Sequence, residues 1–68
     1  MPLITLNGAS RQFDASVTTL TTLITALELQ GKRIAIERNG EIVPRSQHAA
    51  VALAEGDQIE VVVAVGGG

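Results

Sequence analysis

The sequence predicts an α+β domain in which a mixed sheet of four to five strands packs against one helix. Two Asn-Gly dipeptides, at positions 7–8 and 39–40, each separate two short strand-like segments, and this dipeptide is the strongest short signal for a β-hairpin. One helical stripe of aliphatic residues lies between the two hairpins, and a β-branched run follows them. With 68 residues, the chain has room for one domain of this kind.

Each predicted hairpin has a two-residue turn, because asparagine and glycine tolerate the positive φ angles that such a turn requires. The first joins the strand Leu3–Leu6 to a return strand over residues 9–13. The second joins Ile34–Arg38 to a short strand over residues 41–43, which Pro44 stops.

An amphipathic helix is predicted over residues 19–29. Its apolar positions have the spacing i, i+3, i+4, i+7 and are expected in the core: Leu20, Leu23, Ile24 and Leu27. Thr18 or Thr19 can cap the first turn with a hydroxyl oxygen. Gly31 can end the helix in a left-handed conformation.

The last strand is predicted over residues 59–65, after a turn or 3₁₀ region at 45–53 and a turn at 55–57. Its β-branched run lacks strict alternation, which indicates a central strand buried on both faces or nearly so. The order ββαββ, turn region, β lets this strand pair beside the first, with the helix across one face. This is the ubiquitin-like β-grasp arrangement, here with a domain over residues 1–65 and a flexible tail over residues 66–68.

The composition argues against several classes of function. Phe13 is the one aromatic residue, the net charge is −2 and the five basic residues are scattered, so we expect no nucleic-acid surface. The chain has no cysteine, which excludes a disulfide scaffold, a thiolate nucleophile and a cysteine metal site. We see no signal peptide or membrane span, and we expect a cytoplasmic protein without a membrane partner.

The sequence ends in three glycines, Gly66, Gly67 and Gly68, directly after the last predicted strand. Glycines pack poorly and lose much backbone entropy on ordering, so we expect a flexible tail that reaches roughly 10 Å beyond the sheet. Only glycine lets a backbone slide through a narrow channel of a partner enzyme. The carboxylate of Gly68 is a poor electrophile, but ATP can activate it as an acyl-adenylate, which can then accept sulfur as a thiocarboxylate. Such glycines could also be a frayed end or a cloning remnant, but their position directly after the last strand of this pattern favours a functional tail.

Several segments together resemble the ThiS family, the sulfur carriers of bacterial thiazole (thiamin) biosynthesis. The most discriminating are Asn-Gly-x-Ile-Val-Pro-Arg at 39–45 and Val-Gly-Gly-Gly at 65–68, with Leu-Asn-Gly at 6–8 and Gly-Asp at 56–57 in support. The resemblance implies that a ubiquitin-activating type of enzyme consumes ATP to adenylate Gly68. It also implies that a cysteine desulfurase supplies persulfide sulfur and that thiazole synthase receives the sulfur. The chain itself would bind no cofactor and would be a co-substrate, not an enzyme.

Other polar residues form no catalytic or metal-binding pattern. His48 is the one histidine, without ligands at metal spacing, and is expected in a surface or turn position. Glu37 and Glu41 flank a hairpin turn and are expected to be solvated, near Arg38 or Arg45. By analogy with other β-grasp carriers, a partner is expected to contact outward-facing aliphatic residues near the last strand, flanked by one of these two arginines.

Three other functions remain open from the sequence. One is a sulfur carrier for molybdopterin or another metabolite, and another is a ubiquitin-like modifier joined to lysines through Gly68. The last is an interaction domain whose function would survive deletion of Gly67 and Gly68.

Overall fold

The computed structural model describes residues 3–64, which form a five-stranded mixed sheet and one α-helix. In chain order the elements are β1 (Leu3–Leu6), β2 (Ala9–Gln12), α1 (Leu20–Ala26), β3 (Ile34–Arg38), β4 (Glu41–Ile42), a 3₁₀ helix (Arg45–Gln47) and β5 (Gln58–Val63). The strands lie in the order β2-β1-β5-β3-β4, with β5 parallel to β1 and antiparallel to β3. This confirms the predicted β-grasp order with the last strand at the centre. The predicted tail and the boundary at residue 65 lie outside the described residues.

Both predicted hairpins are confirmed, each with a two-residue turn. Asn7 and Gly8 have φ angles of 50° and 84°, and Asn39 and Gly40 have 53° and 88°. Positive φ at both turn positions matches the right-handed twist of the flanking strands. The outer strands are each one residue shorter than predicted, since β2 ends at Gln12 and β4 ends at Ile42.

The helix begins as predicted, with Thr19 at the N-cap. The amide of Thr22 donates to Oγ1 of Thr19 at 3.3 Å, and the amide of Thr19 donates to Oγ1 of Thr22 at 2.8 Å. This reciprocal capping box usually has Glu or Gln at the third helical position. Here Thr22 has that position, and its Oγ1 accepts from the amides of both Thr18 and Thr19, each at 2.8 Å.

The predicted end of the helix is wrong, because α1 stops at Ala26 and not near residue 29. Glu28, not Gly31, is the left-handed residue that follows the cap, with φ of 60°. The amide of Glu28 donates to the carbonyl of Thr25 and the amide of Leu29 to the carbonyl of Ile24, both at 3.0 Å. These two bonds form a Schellman motif. The motif turns the chain so that Leu29 packs against the core.

The core lies between α1 and one face of the sheet. Its buried members come from β1, the segment before α1, α1, β3 and β5: Ile4, Leu6, Val17, Leu20, Leu23, Ile36, Ile59 and Val61. Ile24 and Leu27 pack against this cluster and are partly buried, so the predicted helical stripe does belong to the core.

The prediction that the last strand is buried on both faces is wrong. Burial alternates along β5, so that Ile59 and Val61 are buried while Glu60 and Val62 are exposed. The helix covers one face of the sheet only, and the described residues place no layer on the other. The valines therefore reflect the preference of β-branched residues for strands, not burial on both sides.

Candidate functional site

The candidate site follows β5, the strand at the centre of the sheet. Ala64 is the last described residue, and its amide donates to the carbonyl of Arg33 at 2.9 Å. Gly66, Gly67 and Gly68, the predicted site residues, lie outside the described residues. The structure therefore describes β5 and Ala64, which precede these glycines in the sequence.

The start of β5 is fixed by the carboxylate of Asp57, which is only 5% exposed. Arg38 Nε donates to its Oδ2 at 2.9 Å, as does the amide of Ala54 at 2.9 Å, and Asn39 Nδ2 donates to its Oδ1 at 3.1 Å. Oδ1 of Asn39 accepts in turn from the amide of Gln58 at 2.9 Å. These bonds tie the turn before β5 to the end of β3.

Opposing influences act on the pKa of Asp57. Burial raises it, but the hydrogen bonds from Arg38, the Ala54 amide and Asn39, together with the positive charge of Arg38, lower it further than burial raises it. The pKa therefore lies below the ordinary value of an aspartate. Asp57 is thus a charged structural anchor, not a proton donor at neutral pH.

Asn7 supports the middle of β5 after β1 has turned away. Strand pairing with β1 covers Gln58 and Ile59 only. Beyond them, Asn7 Oδ1 accepts from the amide of Val61 at 2.8 Å, and Asn7 Nδ2 donates to its carbonyl at 3.3 Å. The Asn7 side chain thus makes hydrogen bonds that a neighbouring strand would otherwise make. It supports β5 at Val61, beyond the last residue that pairs with β1.

Neither Arg38 nor Arg45 flanks the exposed face of the sheet, where we expected one of them. Arg38 is held by Asp57. Arg45 lines a depression of about 270 Å³ on the helix side, together with Thr21, Thr25 and His48. Glu37 and Glu41 are both exposed, as expected, and Glu41 lies opposite Arg38 while Glu37 lies opposite Ile42.

His48 lies in a turn, one of the two positions expected, but it is buried and not on the surface. It caps the 3₁₀ helix and is 5% exposed. Its Nε2 lies 3.1 Å from the carbonyl oxygen of Val43. Since a carbonyl can only accept, Nε2 must carry the proton of this hydrogen bond. His48 thereby joins the 3₁₀ segment to the end of the second hairpin.

Residues 3–64 contain no group of three or more side chains placed to hold a metal ion. Within the same range, no helix is long and apolar enough to cross a membrane.

The fold and the position of the last strand define a ubiquitin-like β-grasp protein, and in the sequence three glycines follow its central strand closely. The ThiS family model matches residues 4–68. The chain belongs to the ThiS family.

Known relatives agree with this family. The chain is 33% identical to the sulfur carrier protein ThiS of Bacillus subtilis, over 97% of this chain and all of that protein. The crystal structure of a thiamine biosynthesis protein (ThiS) from Geobacter metallireducens superposes with a TM-score of 0.80 at 31% identity, covering 97% of this chain and 99% of that one.

Two longer relatives share the domain. The chain is 43% identical to a thiazole synthase of Paramagnetospirillum magneticum and 45% identical to one of Magnetococcus marinus, in each case over 96% of this chain. It spans only about a fifth of the length of either protein.

Proposed function

We propose that the chain carries sulfur as a thiocarboxylate on the C-terminal carboxyl group of Gly68 and donates it for thiazole formation. One observation carries the proposal: the match to the ThiS family runs from residue 4 to residue 68 and therefore includes all three terminal glycines. The proposal requires that Gly68 ends the mature protein.

The proposed chemistry has three steps. A partner enzyme first transfers AMP from ATP to the Gly68 carboxylate and releases pyrophosphate, which gives the carbonyl carbon a good leaving group. A terminal persulfide sulfur from a cysteine desulfurase then attacks this carbon and AMP leaves. A further thiol breaks the resulting disulfide bond, and the sulfur remains on Gly68 as a thiocarboxylate.

In this scheme the chain is a co-substrate and not an enzyme, and it binds no cofactor of its own. ATP is held by an adenylating enzyme of the ubiquitin-activating type. The chain contributes a small rigid domain and a terminus without side chains, which can enter a narrow channel. We place the reaction in the cytoplasm, where ATP and cysteine are both available.

Thiazole synthase is the proposed acceptor of the sulfur. The two relatives named thiazole synthase contain a segment similar to 96% of this chain. A carrier-like segment and a thiazole synthase can therefore belong to one polypeptide. A carrier that is a separate polypeptide would have to bind the same enzyme non-covalently.

The proposal can be tested by incubating the purified protein with ATP, cysteine, a cysteine desulfurase and the cognate adenylating enzyme. We expect the intact mass to rise by the difference between sulfur and oxygen, only when ATP is present. Deletion of Gly68 should abolish the rise, whereas Glu28→Gln, an exposed change far from the terminus in sequence, should leave it intact. An unchanged mass with an adenylating enzyme that is active on its own carrier would contradict the proposal.

A further inference from the structure

The depression on the helix side of the molecule has three walls. The first is the exposed face of α1, the second is the turn after α1, and the third is the 3₁₀ helix with its cap. In that order they contribute Thr21 and Thr25, Gln30, and Arg45 and His48. The volume of about 270 Å³ lies just below the roughly 300–1,000 Å³ that is typical of sites for drug-sized ligands. The depression therefore suits a smaller molecule.

Backbone hydrogen bonds hold these walls against one another. The amide of Thr21 donates to the carbonyl of His48 at 3.3 Å, which ties α1 to the cap of the 3₁₀ helix. The amide of His48 donates to the carbonyl of Arg45 at 3.1 Å. Side chains three positions apart in a 3₁₀ helix lie one above the other, so Arg45 and His48 line the depression from the same side.

Arg45 brings a positive charge that no carboxylate neutralises among residues 3–64. The one salt bridge in that range joins Arg38 to Asp57. A guanidinium group presents its N–H donors in a planar fork that matches the two oxygens of a carboxylate. The hydroxyl of Thr21 and the side-chain amide of Gln30 line the same space and can donate as well. The depression can therefore bind a small carboxylate.

His48 adds a hydrogen-bond acceptor. Its ring is nearly buried, and its one hydrogen bond among residues 3–64 runs from Nε2 to the carbonyl of Val43. In the neutral imidazole, Nδ1 then has a lone pair and no proton. Within the same range, no side-chain nitrogen or oxygen is both sealed from solvent and without a partner. Nδ1 is therefore open to solvent, and the depression is the space that His48 lines.

An apolar surface completes the set of contacts. Ile24 is partly buried against the core and also lines the depression, on the same helix face as Thr21 and Thr25. The depression thus offers a cation, a nearby acceptor and an aliphatic contact. An α-amino acid carries the three matching groups on one carbon atom, namely a carboxylate, an ammonium group and a side chain. Inorganic phosphate matches the cation but has no apolar part.

We propose that this depression binds a free α-amino acid with a short side chain. The carboxylate pairs with the guanidinium of Arg45 and accepts from the hydroxyl of Thr21. The ammonium group donates to Nδ1 of His48, and the side chain lies against Ile24. The proposal goes beyond the proposed sulfur chemistry and does not rest on it, since it involves neither Gly68 nor the adenylating enzyme.

Titration of the isotope-labelled protein with L-alanine at constant ionic strength, followed in amide NMR spectra, tests this proposal. We expect saturable shifts of the Thr25, Gly31 and His48 signals with a Kd on the order of 1–10 mM, as befits a small ligand in an open site. Propionate lacks the ammonium group, L-alaninamide lacks the carboxylate, and phosphate lacks the apolar part. Each should bind at least about fivefold more weakly than L-alanine.

Two arginine variants locate the site. Arg45→Gln removes the carboxylate partner and should weaken L-alanine binding at least about tenfold. Arg45 is exposed, so we expect this variant to fold, and its amide signals outside the depression check that it does. Arg11→Gln is the charge-matched control, because Arg11 is exposed on β2 and does not line the depression. It should change the affinity less than about twofold.

A histidine variant tests the acceptor separately. His48→Gln keeps an N–H donor for the carbonyl of Val43 but removes Nδ1. It should weaken the binding of L-alanine and leave that of propionate within about twofold, because propionate has no ammonium group to donate. If His48→Gln does not fold, the comparison of Arg45→Gln with Arg11→Gln still decides the proposal.

Three results would overturn the proposal. The first is the absence of saturable shifts up to about 50 mM L-alanine. The second is an equal affinity of Arg45→Gln and the unchanged protein for L-alanine. The third is binding of propionate or phosphate as tight as that of L-alanine, which would show a general anion site instead. The proposed function stands or falls separately, on the ATP-dependent rise in mass at Gly68.

Discussion

At the scale of single residues, two side chains hold the strand that leads to the candidate site. The carboxylate of Asp57 fixes the start of β5 through Arg38, Asn39 and the Ala54 amide. The side-chain amide of Asn7 makes two hydrogen bonds to the backbone of Val61, where β5 has no paired residue of β1. Both residues lie in or beside turns, and both bind residues that are distant in the sequence. The local sequence around them therefore does not reveal these contacts.

Replacement of Asp57 by Asn should lower stability by about 1–3 kcal/mol at neutral pH, because a buried amide cannot accept from Arg38, Asn39 and Ala54 as a carboxylate does. The pKa of Asp57 is lowered in the folded protein, so the unfolded state binds its proton more tightly. The stability that the Asp57 carboxylate contributes is therefore complete at a pH above 3.8, the ordinary pKa of an aspartate. It is lost as the pH falls through the lower pKa of the folded protein.

Urea unfolding between about pH 6 and about pH 2 checks this prediction. Stability of the unchanged protein should fall over the acid part of this range more steeply than that of Asp57→Asn. Glu28→Gln removes one exposed carboxylate and should leave the acid dependence as it is. Parallel curves for the unchanged protein and Asp57→Asn would show that the charge of Asp57 is not an anchor.

At the scale of elements, α1 is short and depends on its first turn. It has only seven residues, too few to be stable in water without packing and caps. We expect Thr19→Ala to cost about 1 kcal/mol, since it removes the hydroxyl that accepts from Thr22. Thr21→Ala is the matched control, because Thr21 is exposed on the same helix and alanine is the better helix former. Equal melting temperatures for both variants would argue against the capping box.

Local chemistry made most elements predictable. Each Asn-Gly pair tolerates the positive φ angles of a two-residue turn, so the pair alone was enough to predict both hairpins. Thr19 marks the start of α1. The end of α1 was missed because Gly31 is the stronger local signal, while Glu28 takes the left-handed conformation in a Schellman motif that returns Leu29 to the core.

Interactions between distant residues were not predictable in this way. The salt bridge between Arg38 and Asp57 spans 19 positions, and the like-charge pair of Glu37 and Glu60 depends on the register of β3 against β5. The candidate site itself was predicted from Gly66, Gly67 and Gly68, and these predictions stay predictions because the residues lie outside the described range.

At the scale of the whole molecule, the sheet has one face that the helix covers and one face that is exposed. The helix packs on the core side, while Glu60 and Val62 of β5 are exposed on the other side. β5 runs through the centre of both, and residues 65–68 follow from it. Under the proposed function, β5 is the strand that joins the folded domain to the reacting carboxyl group of Gly68, so substitutions in the domain and in residues 66–68 should have separable effects.

The most direct test of the central claim is fragmentation mass spectrometry of the protein from its own host, grown without thiamin. The account predicts a mature chain that ends at Gly68, with part of the population carrying sulfur in place of oxygen on that residue alone. A chain that continues beyond Gly68, or sulfur located on any other residue, would contradict it.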